Sequence, residues 1–211
     1  MPLSDRDYMK PSPPPRRRIW TGAGYRGFNL TPLWVLIGIN LVLFIATLIN
    51  DNVLFQLGLV PSLFRERPWT IVTNMFVHAG FWHLFGNMLT LFYFGRALLQ
   101  LVGQNKFLLL YFGGGILGNI LYIWLGAPQS IAIGASGAVY AIAGALAIMI
   151  PRVRVFAYFF IPMPLWLLVL VFFVLWSFIP GLGIAWQAHI GGLVAGLIAG
   201  FFFRKRTRYV Y

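Results

Sequence analysis

Six apolar runs are spaced along the chain, at approximately Pro32 to Leu48, Trp82 to Val102, Phe107 to Gly126, Ser136 to Ile150, Pro164 to Ile179 and Ala188 to Phe203. Each reads as an α-helix crossing roughly 30 Å of hydrocarbon. The fourth run is short: its fifteen residues cover only about 22 Å at 1.5 Å per residue. Its first residue, Ser136, is therefore expected several ångströms below the membrane surface, in a cavity that water must reach. Between the first two runs lies a long segment, Ile49 to Phe81, with apolar stretches too short to cross and broken by Pro61 and Pro68. It is expected to rest in the interface, with Trp69 and Trp82 as aromatic anchors. The predicted class is all-α, a polytopic membrane bundle of six transmembrane helices with a long interfacial first outer loop. The predicted parts are a disordered basic, proline-rich tail over 1–28, a membrane domain over 29–203 and a basic C-terminus over 204–211.

Composition agrees with that setting. Hydrophobic residues make up 60% of the 211 and charged residues 9%, too little polar surface to coat a soluble domain of this size. The net charge of +12 does not point to nucleic acid, because the basic residues sit at the chain ends and in short loops and form no face on a folded domain. If all six runs cross, every Lys and Arg except Arg65 and Arg67 falls on one side. The positive-inside rule then puts both termini in the cytoplasm. Compact size and the lack of an evident transit peptide point to a prokaryotic cell membrane. The chain has no cysteine, which removes disulfides and thiolate metal sites.

The candidate chemistry follows from the topology. Runs two, four and six cross in the same direction, and each carries polar residues near its outer end: His83 and Asn87, Ser136, and His189. Ionisable groups inside a membrane are costly and mark function. A serine in Gly134-Ala135-Ser136-Gly137, met by an imidazole at matching depth, is equipment for nucleophilic acyl transfer: Ser136 as nucleophile, His189 as general base and then acid. Ala188, Gly192, Gly196 and Gly200 recur every four residues on run six, and run four is equally rich in small residues, so the two backbones can approach closely. Gly192 and Gly196 share a face with His189, and Tyr140, one turn after Ser136, is placed to pack against the imidazole. His83 and Asn87, four apart, share a face as well. With the Ser136 backbone N–H at a helix N-terminus they can form an oxyanion hole. The four acidic residues, Asp5, Asp7, Asp51 and Glu66, all lie outside the runs. The expectation is thus a Ser/His dyad without a carboxylate, and a slower enzyme than a triad. Activity is expected to fall on acidification, as His189 protonates and stops acting as base. Three histidines without a nearby carboxylate make a poor metal site, so neither metal nor organic cofactor is expected.

In this order and on these runs, His78, His83-x-x-x-Asn87, Gly134-x-Ser136-Gly137 and Ala188-His189-x-x-Gly192-x-x-x-Gly196 resemble the rhomboid intramembrane serine proteases, over about Trp69 to Gly200. The resemblance implies a six-span endopeptidase that cleaves other proteins' transmembrane segments near the outer face, through an acyl-enzyme. It also implies lateral substrate access beside span five and a preference for small residues before the scissile bond. Trp69-Thr70 stands where the family often has Trp-Arg, and Leu99-Gln100 where it often has a glutamate; both bear on loop anchoring and not on the chemistry. Single motifs have blander readings. Gly-x-Ser-Gly alone is usually a turn or packing motif, His83 and Asn87 can be interhelical glue, and His78 reads as a structural hydrogen bond in the loop. A catalytically dead, client-binding relative would usually lack the serine or histidine kept here. A small transporter would place its polar cluster at the midplane and show an inverted repeat.

Overall fold

The computed structural model describes residues 29–157, 160–179 and 183–204. The expected tail at 1–28 and all but Arg204 of the expected basic terminus lie outside those residues. The described chain runs through α1 (Thr31–Ile49), α2 (Asn52–Leu57), α3 (Thr70–Thr73), α4 (Phe81–Val102), α5 (Gln104–Leu125), α6 (Ser136–Met149), a hairpin of β1 (Arg154–Ala157) and β2 (Ile161–Pro164), then α7 (Leu165–Leu168) and α8 (Trp186–Arg204). A π-helical stretch, Val169–Leu175, prolongs α7. Helices α1, α5 and α8 are long and apolar enough to cross a membrane. Their lipid-ready surfaces are evident on α1, where Leu33, Leu36, Ile37 and Asn40 are buried while Val35, Val42 and Ile45 on the opposite side are more than half exposed.

The β-hairpin is absent from the hydropathy pattern, which placed Pro164 inside a helix. Strand β2 is Ile161-Pro162-Met163-Pro164, paired antiparallel so that Arg154 faces Pro164 and Ala157 faces Ile161. A residue before proline is pushed out of the α region, so Ile161 and Met163 are both held extended. The helix starts only at Leu165, after Pro164 at ψ 145°.

Helix α6 is the centre of the molecule, buried at every position from Gly137 to Leu146. Alanine and glycine make that burial feasible, because neighbours can reach its backbone. Helix α8 lies directly against it: a Cβ on Gly192 would run into Gly137 O, one on Gly196 into Ala141 O, and one on Gly200 into Ala145 O at 2.7 Å. The α4–α5 connection is a single residue, Gly103, whose φ of +80° glycine adopts at low cost.

The segment between α1 and α4 is first folded on itself, through its own backbone acceptors. Trp69 Nε1 donates to Gln56 O at 3.2 Å, Arg67 Nη1 to Phe55 O at 3.1 Å and Thr73 Oγ1 to Leu57 O at 2.8 Å. Thr70, buried, turns its hydroxyl onto Arg67 O at 2.6 Å. Deeper in, Asn74 and Asn119 exchange carboxamide bonds at 3.1 and 2.7 Å, and Asn119 also donates to Ile71 O at 2.8 Å. Asn74 O accepts the Gly134 N–H at 2.8 Å, so this buried pair ties the segment between α1 and α4, together with α5, to the turn that precedes Ser136.

Candidate active site

Ser136 is the first residue of α6, and its placement is set by the turn before it. Gly134 has φ +106°, and a Cβ there would lie 2.6 Å from His83 Nε2. Only glycine meets both the backbone and the steric demand at this position. The amides at the start of α6 have no acceptor within the helix, and they point toward the end of the bundle where Ser136 sits. His189 is the fourth residue of α8. The glycine contacts between α6 and α8 bring Ser136 Oγ and His189 Nε2 to 2.8 Å. His189 is buried, whereas Ser136 is partly exposed. Both line a cavity of about 700 Å³ shared with Trp82, His83, Asn87 and Tyr140.

On α4, His83 and Asn87 face that cavity together. Asn87 Nδ2 donates to His83 O at 2.9 Å; a carboxamide nitrogen carries two hydrogens, so this bond uses one and leaves the other. The rings of His83 and His78 meet edge to face with centroids 4.9 Å apart. His78 itself is buried in the loop before α4, and its Nε2 accepts from Ala135 N at 3.5 Å, a long bond that braces the start of α6. Burial first, and then repulsion from His83, hold its imidazole down to about 3. His78 is therefore neutral at ordinary pH.

Tyr140 packs on His189 in a parallel stack, centroids 4.0 Å apart and planes 21° from parallel. The other face of the arrangement was not read from the sequence. Ser177, buried near the end of the fifth apolar run, has its Oγ 3.0 Å from His189 Nδ1 and 2.8 Å from Tyr140 OH, and donates to Phe173 O at 2.6 Å. Both ring nitrogens of His189 thus have hydroxyl partners. A lone serine in an apolar helix ordinarily satisfies itself on the carbonyl four residues back. Ser177 makes that bond too, so its spacing alone carried no signal; the polar residue on an otherwise apolar segment was the available clue.

A family profile described as the Rhomboid domain matches residues 65–206, a stretch that holds His83, Asn87, Ser136, Ser177 and His189. The chain belongs to the rhomboid family. It is 35% identical over 144 residues to the Bacillus subtilis rhomboid YdcA, covering 67% of this chain and 71% of that protein. Rhomboid protein 1, mitochondrial, from Saccharomyces cerevisiae is 31% identical over 147 residues, 64% of this chain and 42% of the yeast protein. Rhomboid-like protease 1 from Toxoplasma gondii is 29% identical over 160 residues, 73% of this chain and 54% of that protein. This rhomboid-family chain thus spans about half the length of the latter two relatives. Its family and its apolar helices make it an integral membrane protein.

Proposed function

We propose that this rhomboid is an intramembrane serine endopeptidase that hydrolyses peptide bonds in or next to transmembrane segments of other membrane proteins. The observation that carries the reading is the 2.8 Å approach of Ser136 Oγ to His189 Nε2 at one end of an apolar bundle, beside an open cavity. In this reading His189 Nε2 takes the Ser136 hydroxyl proton as Oγ bonds to the scissile carbonyl carbon. The developing oxyanion takes hydrogen bonds from the Ser136 amide, Asn87 and His83. The imidazolium then returns its proton to the leaving nitrogen as the C–N bond breaks, leaving an acyl-enzyme on Ser136. Water, activated by the same imidazole, cleaves the ester and frees Ser136. All the groups involved are the protein's own, and the hydroxyl route uses no metal or organic cofactor.

The same proposal has six helices crossing, α1, α4, α5, α6, α7 with its π-helical extension, and α8, with both termini cytoplasmic as the basic residues favour. Ser136, His83 and His189 then start three helices of one direction and share the exoplasmic side. Phe172 and Trp176 line the cavity from the α7 side, which supports lateral substrate access there. The test is cleavage of a single-pass membrane protein by the purified protein in liposomes, with the cut located by mass spectrometry. A cut within or beside the transmembrane segment, lost in Ser136→Ala, is expected. Intact substrate with folded protein overturns the proposal.

A further inference from the structure

Ser177 is placed to decide which nitrogen of His189 carries the proton. Its hydroxyl has one hydrogen and two lone pairs, and it has three close partners: Phe173 O at 2.6 Å, Tyr140 OH at 2.8 Å and His189 Nδ1 at 3.0 Å. The peptide carbonyl of Phe173 only accepts, so the single Ser177 hydrogen belongs there. Its lone pairs must then accept from the other two, a Tyr140 O–H and a His189 Nδ1–H. The opposite assignment, Ser177 donating to Nδ1, would press two oxygens to 2.6 Å with no hydrogen between them. A neutral imidazole with hydrogen on Nδ1 has a bare Nε2, and Nε2 is the atom 2.8 Å from Ser136 Oγ.

From this arithmetic we propose that Ser177 is a positioning residue that fixes His189 as the Nδ1–H tautomer, with Tyr140 and Phe173 O locking the Ser177 hydroxyl so that it can only accept from the ring. The inference rests on the peptidase reading above for its consequence, but not for its geometry. The hydroxyl occupies the place that a carboxylate takes in a triad, where the orienting acceptor keeps the base in the productive tautomer and steadies the imidazolium. Here the acceptor is neutral. Through the cycle its role is constant: Nδ1–H stays on Ser177 Oγ while the Ser136 proton arrives at Nε2 and leaves again. Tyr140 contributes twice, by stacking on the ring and by supplying the O–H that fills the second Ser177 lone pair.

The chain has three histidines, so the tautomer can be read directly from 15N-histidine-labelled full-length protein in detergent micelles. The His189 signals are assigned by difference against His189→Gln. The expected result at neutral pH is a protonated Nδ1 and a bare Nε2. Hydrogen on Nε2 with a bare Nδ1 overturns the inference. This reading needs no turnover, so it stands or falls apart from the liposome cleavage assay. In that assay, Ser177→Ala is expected to lower kcat about tenfold, the scale of one neutral hydrogen bond, with KM unchanged. Ser177→Thr, which keeps the hydroxyl, restores most of the lost rate. A folded Ser177→Ala protein with wild-type kcat, or one whose loss is entirely in KM, contradicts the proposal.

Discussion

Alanine at Gly192 is the substitution to which the account is most exposed. Gly192 follows His189 by three residues on α8, and its Cβ would be driven into the carbonyl oxygen of Gly137, the residue after the nucleophile. Backbone stands on both sides of this contact, so no rotamer change relieves it and the two helices must separate. A separation on the order of 1 Å takes the Ser136 to His189 pair outside hydrogen-bond range. Displacements of that size at a reacting pair cost on the order of 10² in rate, and overpacking a tight interface costs about 1–3 kcal/mol of stability. Gly113→Ala on α5 is the matched control, because a Cβ there meets nothing within 4 Å. Cleavage in liposomes and thermal unfolding in detergent are measured for both variants. The expected outcome is a kcat about a hundredfold lower and a depressed Tm for Gly192→Ala, with Gly113→Ala close to wild type. If Gly192→Ala keeps wild-type kcat and Tm, direct backbone contact between α6 and α8 is not what aligns the site.

Ser136→Ala and His189→Ala should each abolish measurable cleavage, since members of one catalytic unit fail together; near-wild-type turnover in either folded variant would contradict a shared step. Asn87→Ala should lower kcat about tenfold or more with little change in KM, the mark of a donor that acts on the oxyanion, and a KM-only effect would reassign Asn87 to substrate binding. His78 gives a stability signature. The unfolded chain takes up a proton near pH 6.5 and the native loop only near 3, so between these values the unfolded state holds more protons and stability rises with pH. This contribution is complete above about pH 6.5 and is lost as pH falls toward 3. His78→Gln should flatten the dependence of Tm on pH over that window, and an unchanged slope would show that His78 takes no part in it.

The helices were legible because hydropathy sets them: the second apolar run, read as Trp82 to Val102, begins one residue earlier, and the fourth begins at Ser136 as expected. The glycine and alanine spacing on α6 and α8 foretold backbone contact for the same reason, since few other residues permit it. The β-hairpin was hidden, because Ile161-Pro162-Met163-Pro164 has neither a charge nor a polar alternation to mark a strand, and only the restriction that each proline puts on its predecessor sets it off from the helix that follows. Within the candidate site, Ser136, His189, Tyr140, His83 and Asn87 each lie within one turn of a helix end or of one another in sequence, so helical periodicity placed them. Ser177 belongs to another helix and reaches His189 across the packed bundle, a contact that no local spacing encodes. The Asn74 and Asn119 exchange was invisible for the same reason.

Covalent labelling tests, without any knowledge of the substrate, whether Ser136 is a nucleophile activated by His189. Folded protein is treated with a serine-directed fluorophosphonate and the modified peptide is located by mass spectrometry. The predicted result is one adduct, on the peptide that contains Ser136, absent in Ser136→Ala and formed far more slowly in His189→Ala. Folded protein that takes up no label, or label carried on a different serine, would contradict the account.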